Sequence, residues 1–256
     1  DNLSSAKVIS INRLQKVKDS IEYIEEDIRN FDVVKKIAAG KDIIYHLAAQ
    51  SDVQASIKDP LMDAQVNVFG TLNILRAAHM DSVPRVVFFS SAAVYGDTKK
   101  FPIKEDFPVN PLSPYGLSKY AAEQYCKYFS EYFNVETFAL RTFNAYGEGS
   151  AGVIYKFIDE IKHGNPVKIF GDGKQTRDFL SVHDIVDCCL RLLDASVKGS
   201  WKFHLYNIAN GKETTINEIV KVLRQLYKRD FEVKYEEPRA GDIKRSLASI
   251  EKIKKS

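Results

Sequence analysis

Membrane-length hydrophobicity is missing from this chain. No apolar run approaches the ~20 residues of a bilayer span, and no signal-peptide pattern opens it. Cysteine is scarce: Cys126, Cys188 and Cys189 are the three, and two of them are adjacent. They form no disulfide framework and imply a reducing, cytoplasmic setting, with the thiols as small core residues. The five histidines are scattered, without HExxH or Cys/His spacing, so no metal site is expected. An excess of one charge is lacking too, since the net charge is +3 over 256 residues. With no Lys/Arg cluster interleaved with aromatics, nucleic acid is not an expected partner. The sequon Asn2-Leu3-Ser4 reads as accidental in such a chain. A leading methionine and a leading strand are also absent. The chain opens at Asp1 and stops in a lysine-rich helical pattern at Ser256, which reads as a fragment cut at both ends.

What is present suits a globular protein with a sizeable core: 45% hydrophobic, 28% charged, 13 Gly and 8 Pro. Strand-like and helical patterns alternate through the first half. Ser20 to Asp27 ("SIEYIEED") reads as a strand and Asn30 to Gly40 as a helix. Asp42 to Ala49 ("DIIYHLAA") reads as a buried strand and Pro60 to Met80 as a long helix. Pro84 to Ser91 ("PRVVFFSS") is a further strand, then comes a helix opening at Tyr115, then the strand Val135 to Asn144. Strands separated by helices of 10 to 20 residues indicate parallel βαβ units, and continuous apolar strands fit a sheet covered on both faces. Beyond Asn144 short strands ("VKIFG", "HLYNIA") mix with helices at Val182 to Ala195 and Thr215 to Tyr227. The expectation is an α/β fold, a doubly wound parallel sheet over 1–144. A smaller α/β part over 145–256 follows, with about 181–212 returning to the first domain. Ligands bind such sheets at the carboxyl edge.

The stretch "SPYGLSKYAAEQYCKYF", Ser113 to Phe129, is the chemically informative one. Tyr115 and Lys119 are four apart and share a helix face. By itself the pair is a common surface arrangement. It is also a means of making a phenolate: bringing a tyrosine from pKa ~10 to ~7 takes about 4 kcal/mol, which a cation at ~4 Å supplies at an effective dielectric near 20. Upstream, "VVFFSSAAVYGD" ends a strand at Ser90-Ser91, placing hydroxyls at the sheet's carboxyl edge. A strand-end serine, a long loop and Tyr-x-x-x-Lys at a helix start resemble the short-chain dehydrogenase/reductase superfamily. The later motifs resemble its extended branch, the nucleotide-sugar epimerases and dehydratases, across nearly the whole chain.

The resemblance implies a Rossmann-type fold whose first βαβ unit, with its Gly-rich loop, falls before Asp1. It implies Tyr115 as general base, Lys119 as the cation that depresses its pKa and contacts the nicotinamide ribose, and Ser91 as the hydroxyl on the substrate oxygen. NAD is the implied cofactor, with Asp1 on the adenosine ribose favouring NAD over NADP and Asn2, Ser4 and Ser5 alongside. Asp27 and Ile28 ("EDIR") would contact adenine. Leu47, Ala48, Ala49 and Gln50 ("HLAAQ") would follow the pyrophosphate and ribose, with Asn67 and Phe143 also near the cofactor. Read singly, "HLAA" is buried strand and Asn67 a satisfied helix asparagine.

For a UDP-sugar substrate the resemblance implies Arg177 and Arg239 on the diphosphate, where guanidinium forks pair with phosphate oxygens, and Asp242 on a ribose hydroxyl. Asn144 would bond the phosphate region, Val153 and Phe170 would line the nucleotide site, and Phe179 would lie close to the sugar or nucleoside. Each arginine alone is equally a solvated loop charge. Ser246, seven residues past Arg239, either borders the sugar 2-substituent, leaving room for an N-acetyl group, or caps the helix "LASIEKIKK". Dehydratases carry Asp-Glu, and decarboxylases a glutamate, after the strand-end serine. Here Ala92 and Ala93 have no proton to give. The implied reaction is 4-epimerisation of UDP-glucose/UDP-galactose, with UDP-N-acetylhexosamine or UDP-uronic acid as the alternative sugar and a catalytically silent NAD-sensing regulator as the alternative class. A homodimer is expected through the helices from Pro60 and Tyr115. Tyr125, Tyr128, Phe129, Tyr132 and Phe133 form its aromatic surface, with core packing the competing account of part of that set.

Overall fold

The computed structural model describes residues 2–4, 12, 14–150, 152–194, 202–238 and 243–256. The chain forms two compact units, each assembled from three separate stretches. The first comprises Asp1–Gly96, Val109–Arg141 and Lys198–Tyr206, and the second Asp97–Pro108, Thr142–Val197 and Asn207–Ser256.

The first unit is a parallel α/β layer structure. In chain order it contains α1 (Phe31–Ala38), β1 (Ile43–His46) and α2 (Val53–Lys58). The next helix, α3, runs Pro60–Ala64, then a π-helical turn at Gln65–Phe69, then Gly70–Met80. After it come β2 (Arg85–Ser91), α4 (Pro114–Tyr132) and β3 (Glu136–Thr142). The sheet order is β1, β2, β3 and then the strand Phe203–Ile208, and β1 pairs in parallel with β2, from Ile43 opposite Arg85 to His46 opposite Phe88. Apolar stripes on α1, α3 and α4 cover the sheet: Val34, Leu75, Ala122 and Cys126 pack with Val86 and Phe88 in one buried cluster, as burial of one face per element requires. Asp59 caps α3, its carboxylate accepting from Met62 N at 2.9 Å, with Pro60 in the first turn.

The expected strand at Ser20 to Asp27 forms no ladder among the described residues: Ser20 ends a 3-10 turn, Lys18–Ser20, and residues 22–27 belong to no helix or strand. The other expected strands and helices stand within a few residues of their predicted ends. At Ile28 the chain packs onto α3, where a Cβ on Gly70 would lie 2.4 Å from the isoleucine Cδ1. A side chain there would force Ile28 to shift.

The second unit has its own core, in which Phe157, Ile161, Val167, Ile169, Ile219 and Leu223 are buried together. The strand Asn144–Tyr146 pairs in parallel with Thr176–Ser181, and Thr176–Ser181 pairs antiparallel with Glu213–Thr215. Val167–Phe170 and Val233–Glu236 form a separate parallel pair. The helix Ile216–Tyr227 carries a complete capping box between Thr215 and Glu218.

Candidate active site

Ser91 is the last residue of β2 and begins the tight turn Ala92–Tyr95, its Oγ accepting from Ala93 N at 3.2 Å. Facing it is the first turn of α4. Ser113 caps that helix, accepting from Gly116 N at 3.1 Å, and Pro114 presets the entry. A Cβ on Gly116 would lie 2.7 Å from the carbonyl oxygen of Ala93. The missing side chain is therefore what lets the turn seat against β2's end, where the Ser91 hydroxyl acts on the Tyr115 phenol.

Electrostatics departs from the expectation at this point. Burial raises the Tyr115 pKa above 10.0, the Ser91 hydrogen bond opposes that, and the charge of Asp63 raises it further. The Lys119 ammonium is bonded to β2. Its Nζ donates to the carbonyl of Phe89 at 2.9 Å and lies 4.8 Å from the Phe88 ring centroid. Burial lowers its pKa from 10.5 to about 8, against the raising effect of Asp63, Cys126 and Glu123. The cation that sequence spacing assigns to the tyrosine is thus anchored on β2, since a buried ammonium must find acceptors.

Two buried groups escaped sequence reasoning. Glu123 of α4 receives Arg141 bidentately (Nε 3.0 Å, Nη2 2.8 Å) and also Ser90 Oγ, locking α4 to the ends of β2 and β3 behind Tyr115. A charge inside the apolar strand "ETFALRT" was the available signal. Asp63, on the first turn of α3, is 1% exposed, and an acidic residue near a helix N-terminus gave no reason to expect that.

Seven of the residues expected at the cofactor converge. Asn2, Ser4, Asp27, Ile28, Ala48, Ala49 and Gln50 line one cleft of about 320 Å³. Asp27 is held firmly: Arg29 donates through its backbone N (2.8 Å), Nε (3.0 Å) and Nη2 (2.8 Å), and Asn2 Nδ2 adds a bond at 2.8 Å. Arg29 keeps that carboxyl well below the usual carboxylate range. Leu47 stays exposed beside the cleft. Asn67 lies on the π turn and bonds reciprocally with the Gln50 backbone, its Oδ1 accepting from Gln50 N and its Nδ2 donating to Gln50 O, both at 2.9 Å. Phe143 is buried within the protein, and its N–H donates to Ile208 O at 3.0 Å. Asp1, Ser5, Arg239 and Asp242 lie outside the described residues.

In the second unit, Asn144 stands opposite Phe179 across the parallel pair, and Val153 and Phe179 flank the same apolar cluster. Phe170 ends its strand, its carbonyl accepting from Gln175 Nε2 at 2.7 Å. Arg177 is not a solvated charge: its Nη1 donates to Ile243 O at 2.6 Å and to Thr176 O at 2.9 Å. That grip is one of several on the segment 243–250. Asp178 accepts from Asn210 N, Gly211 N and Ala248 N at 2.8 to 3.2 Å, and Arg245 pairs with Glu213 at 2.7 Å. Ser246 is 8% exposed within this anchored segment. It caps nothing, because the helix Glu251–Lys254 starts later, with Ile250 at its N-cap and no side-chain cap bond. The capping alternative is overturned.

The family model described as "NAD dependent epimerase/dehydratase family" matches residues 2–209. The chain belongs to that family. NAD is its cofactor, and the cleft lined by hydrogen-bonding residues around Asp27 and Gln50 suits a dinucleotide. Relatives at up to 39% identity are epimerases, and the chain is an enzyme of the isomerase class. The putative UDP-glucose 4-epimerase of Methanocaldococcus jannaschii is 39% identical over 260 residues, 98% of this chain and 81% of the relative. Two solved structures, each covering 100% of this chain and 82% of their own, resemble it closely. The UDP-N-acetylglucosamine 4-epimerase of Methanobrevibacter ruminantium M1, in complex with UDP-N-acetylmuramic acid, superposes with TM-score 0.91 at 36% identity. The UDP-glucose 4-epimerase of Thermotoga maritima, with UDP-glucose, does so with TM-score 0.89 at 32%. Among the described residues, no helix is long and apolar enough to cross a membrane and no group of His, Cys, Asp or Glu could hold a metal ion.

Proposed function

We propose that this member interconverts UDP-glucose and UDP-galactose at C4. The supporting observation is that the Ser91 hydroxyl at the end of β2 opposes the rise that burial imposes on the Tyr115 pKa, and that it is followed by Ala92 and Ala93, which cannot donate a proton for dehydration. Tyr115 removes the proton of the sugar 4-hydroxyl. Ser91 orients that oxygen beside the phenol. NAD supplies the acceptor and donor of the C4 hydride. The 4-ketose turns over and Tyr115 returns the proton, so the net change is an isomerisation. Lys119 keeps a positive charge beneath the site, and Asn2, Ser4, Asp27 and the 47–50 loop hold the dinucleotide. Asn144, Val153, Phe170, Arg177 and Phe179, with Arg239 and Asp242, are assigned to the UDP moiety. The free cysteines favour action in the cytoplasm, and exposed Leu61, Tyr125, Tyr128 and Tyr132 favour a homodimer.

Tyr115→Phe tests the mechanism: turnover should fall by about 10²- to 10⁴-fold with NAD binding kept. A variant retaining most activity removes Tyr115 from its role, and wild-type protein inert towards every UDP-sugar while binding NAD favours a regulatory protein instead.

A wider substrate range is the second reading, favoured by the small, buried Ser246 in its anchored segment. Assayed against UDP-GlcNAc and UDP-galactose, Ser246→Tyr should lose activity on the N-acetyl sugar and keep the other. Equal loss on both, or a wild type inactive on N-acetyl sugars, rules the wider pocket out.

A further inference from the structure

Asp63 has no assigned part in this site, yet it stands at the junction of the groups that do. Its Oδ1 accepts from Gln50 Nε2 at 2.9 Å and from Asn67 Nδ2 at 3.1 Å. Asn67 Nδ2 also donates to Ser118 Oγ at 3.1 Å, and Ser118 Oγ donates to the Tyr115 carbonyl at 3.0 Å. The carboxylate thus ties the 47–50 loop, the π turn and the first turn of α4 into one network. Its other oxygen, Oδ2, is buried with no hydrogen-bond partner, a costly state for a carboxylate unless a cation compensates it. We propose that Asp63 is a positioning residue of the reaction, its carboxylate fixing Gln50 and Asn67 against the Tyr115 turn and serving as counter-charge to Lys119.

The charges around Lys119 single Asp63 out. His46 faces it from β1, Asp63 from α3, and Glu123 and Cys126 from α4 itself. Burial holds His46 neutral, with its pKa near 3, and burial pushes the Cys126 thiol up out of the ionising range. Glu123 is already neutralised by Arg141 from β3 at 2.8 Å. That leaves Asp63 as the carboxylate whose charge Lys119 can use. With that help the ammonium titrates at about 8. Without it, the pKa falls towards neutrality and the cation is lost within the working range. The same charge disfavours the Tyr115 phenolate, so neutralising Asp63 moves both ionisations to lower pH.

This inference rests on Tyr115 and Lys119 acting as proposed above. The test is Asp63→Asn in the full chain, read by NMR of ¹³Cε-labelled lysine with the Lys119 resonance assigned through Lys119→Met, alongside the pH profile of kcat. Lys119 should titrate about one pH unit lower than in wild type, both limbs of the profile should move acidward, and Asp63→Glu should restore them. Coincident Lys119 titrations in wild type and Asp63→Asn overturn the proposal even where Tyr115→Phe is inactive. An active Tyr115→Phe overturns the underlying mechanism instead. If Asp63→Asn does not fold, Asp63→Ser decides by the same Lys119 titration: a curve moved to lower pH supports the counter-charge, and one coincident with wild type overturns it.

Discussion

At 3% exposure, the Lys119 ammonium has the Phe89 carbonyl and the Phe88 ring where an exposed lysine has water. Its folded-state pKa of about 8 lies below the 10.5 of the free side chain, so the unfolded chain binds more protons between those values. Stability therefore rises with pH across that window, and below about pH 8 the folded state carries the full cost. That cost is on the order of 3 kcal/mol at 1.36 kcal/mol per pKa unit. Replacing Lys119 with Met should raise the urea midpoint at neutral pH, and the gain should shrink as pH climbs towards 10, while epimerase activity is lost. A variant less stable than wild type at pH 7 would mean that the carbonyl bond and the compensation of Asp63 together outweigh burial of the charge. Arg141 makes the contrast, since its bidentate partner Glu123 compensates burial and Lys119 has no such fork.

Gly116 decides how α4 sits. Alanine favours a helix over glycine by about 1 kcal/mol, so propensity alone predicts that Gly116→Ala stabilises. The added Cβ would meet a backbone oxygen at 2.7 Å, which cannot swing aside as a side chain would. The expected result is a lower urea midpoint and a kcat about 10²-fold down, the scale of loss that a displacement near 1 Å produces; a more stable and fully active variant would show that the turn has slack. The elements themselves were legible in the sequence because apolar spacing records a buried face, as in β2 and the α4 helix. What the sequence hid has physical reasons. The π turn at Gln65–Phe69 adds a residue that no apolar period marks, and it carries Asn67 to Gln50. Arg177 finds Ile243 O across 66 residues, a partnership fixed by tertiary packing and not by local pattern. Residues 21–27 read as a strand by themselves, but a strand also needs a neighbour.

Of the expected aromatic surface, Phe129 is buried and Phe133 packs against the core, so core packing accounts for that part. Tyr132 at 69% exposure and Leu61 at 67% remain outward, on α4 and α3, more apolar surface than a solvated helix pair needs. Leu61→Arg should convert a sedimenting dimer to monomer with the fold unchanged. A wild type that sediments as monomer at micromolar concentration ends the dimer reading. The three-stretch construction of each unit has a consequence for synthesis. The first unit's sheet requires the strand Phe203–Ile208 beside β3. A ribosome releasing the chain from its N-terminus therefore exposes β1, β2 and β3 well before their last neighbour emerges, leaving β3 with an open hydrogen-bonding edge while the intervening second-unit residues are translated. Stalled nascent chains ending before residue 203 should bind holdase chaperones and yield to protease, and chains extended past Ile208 and clear of the exit tunnel should resist.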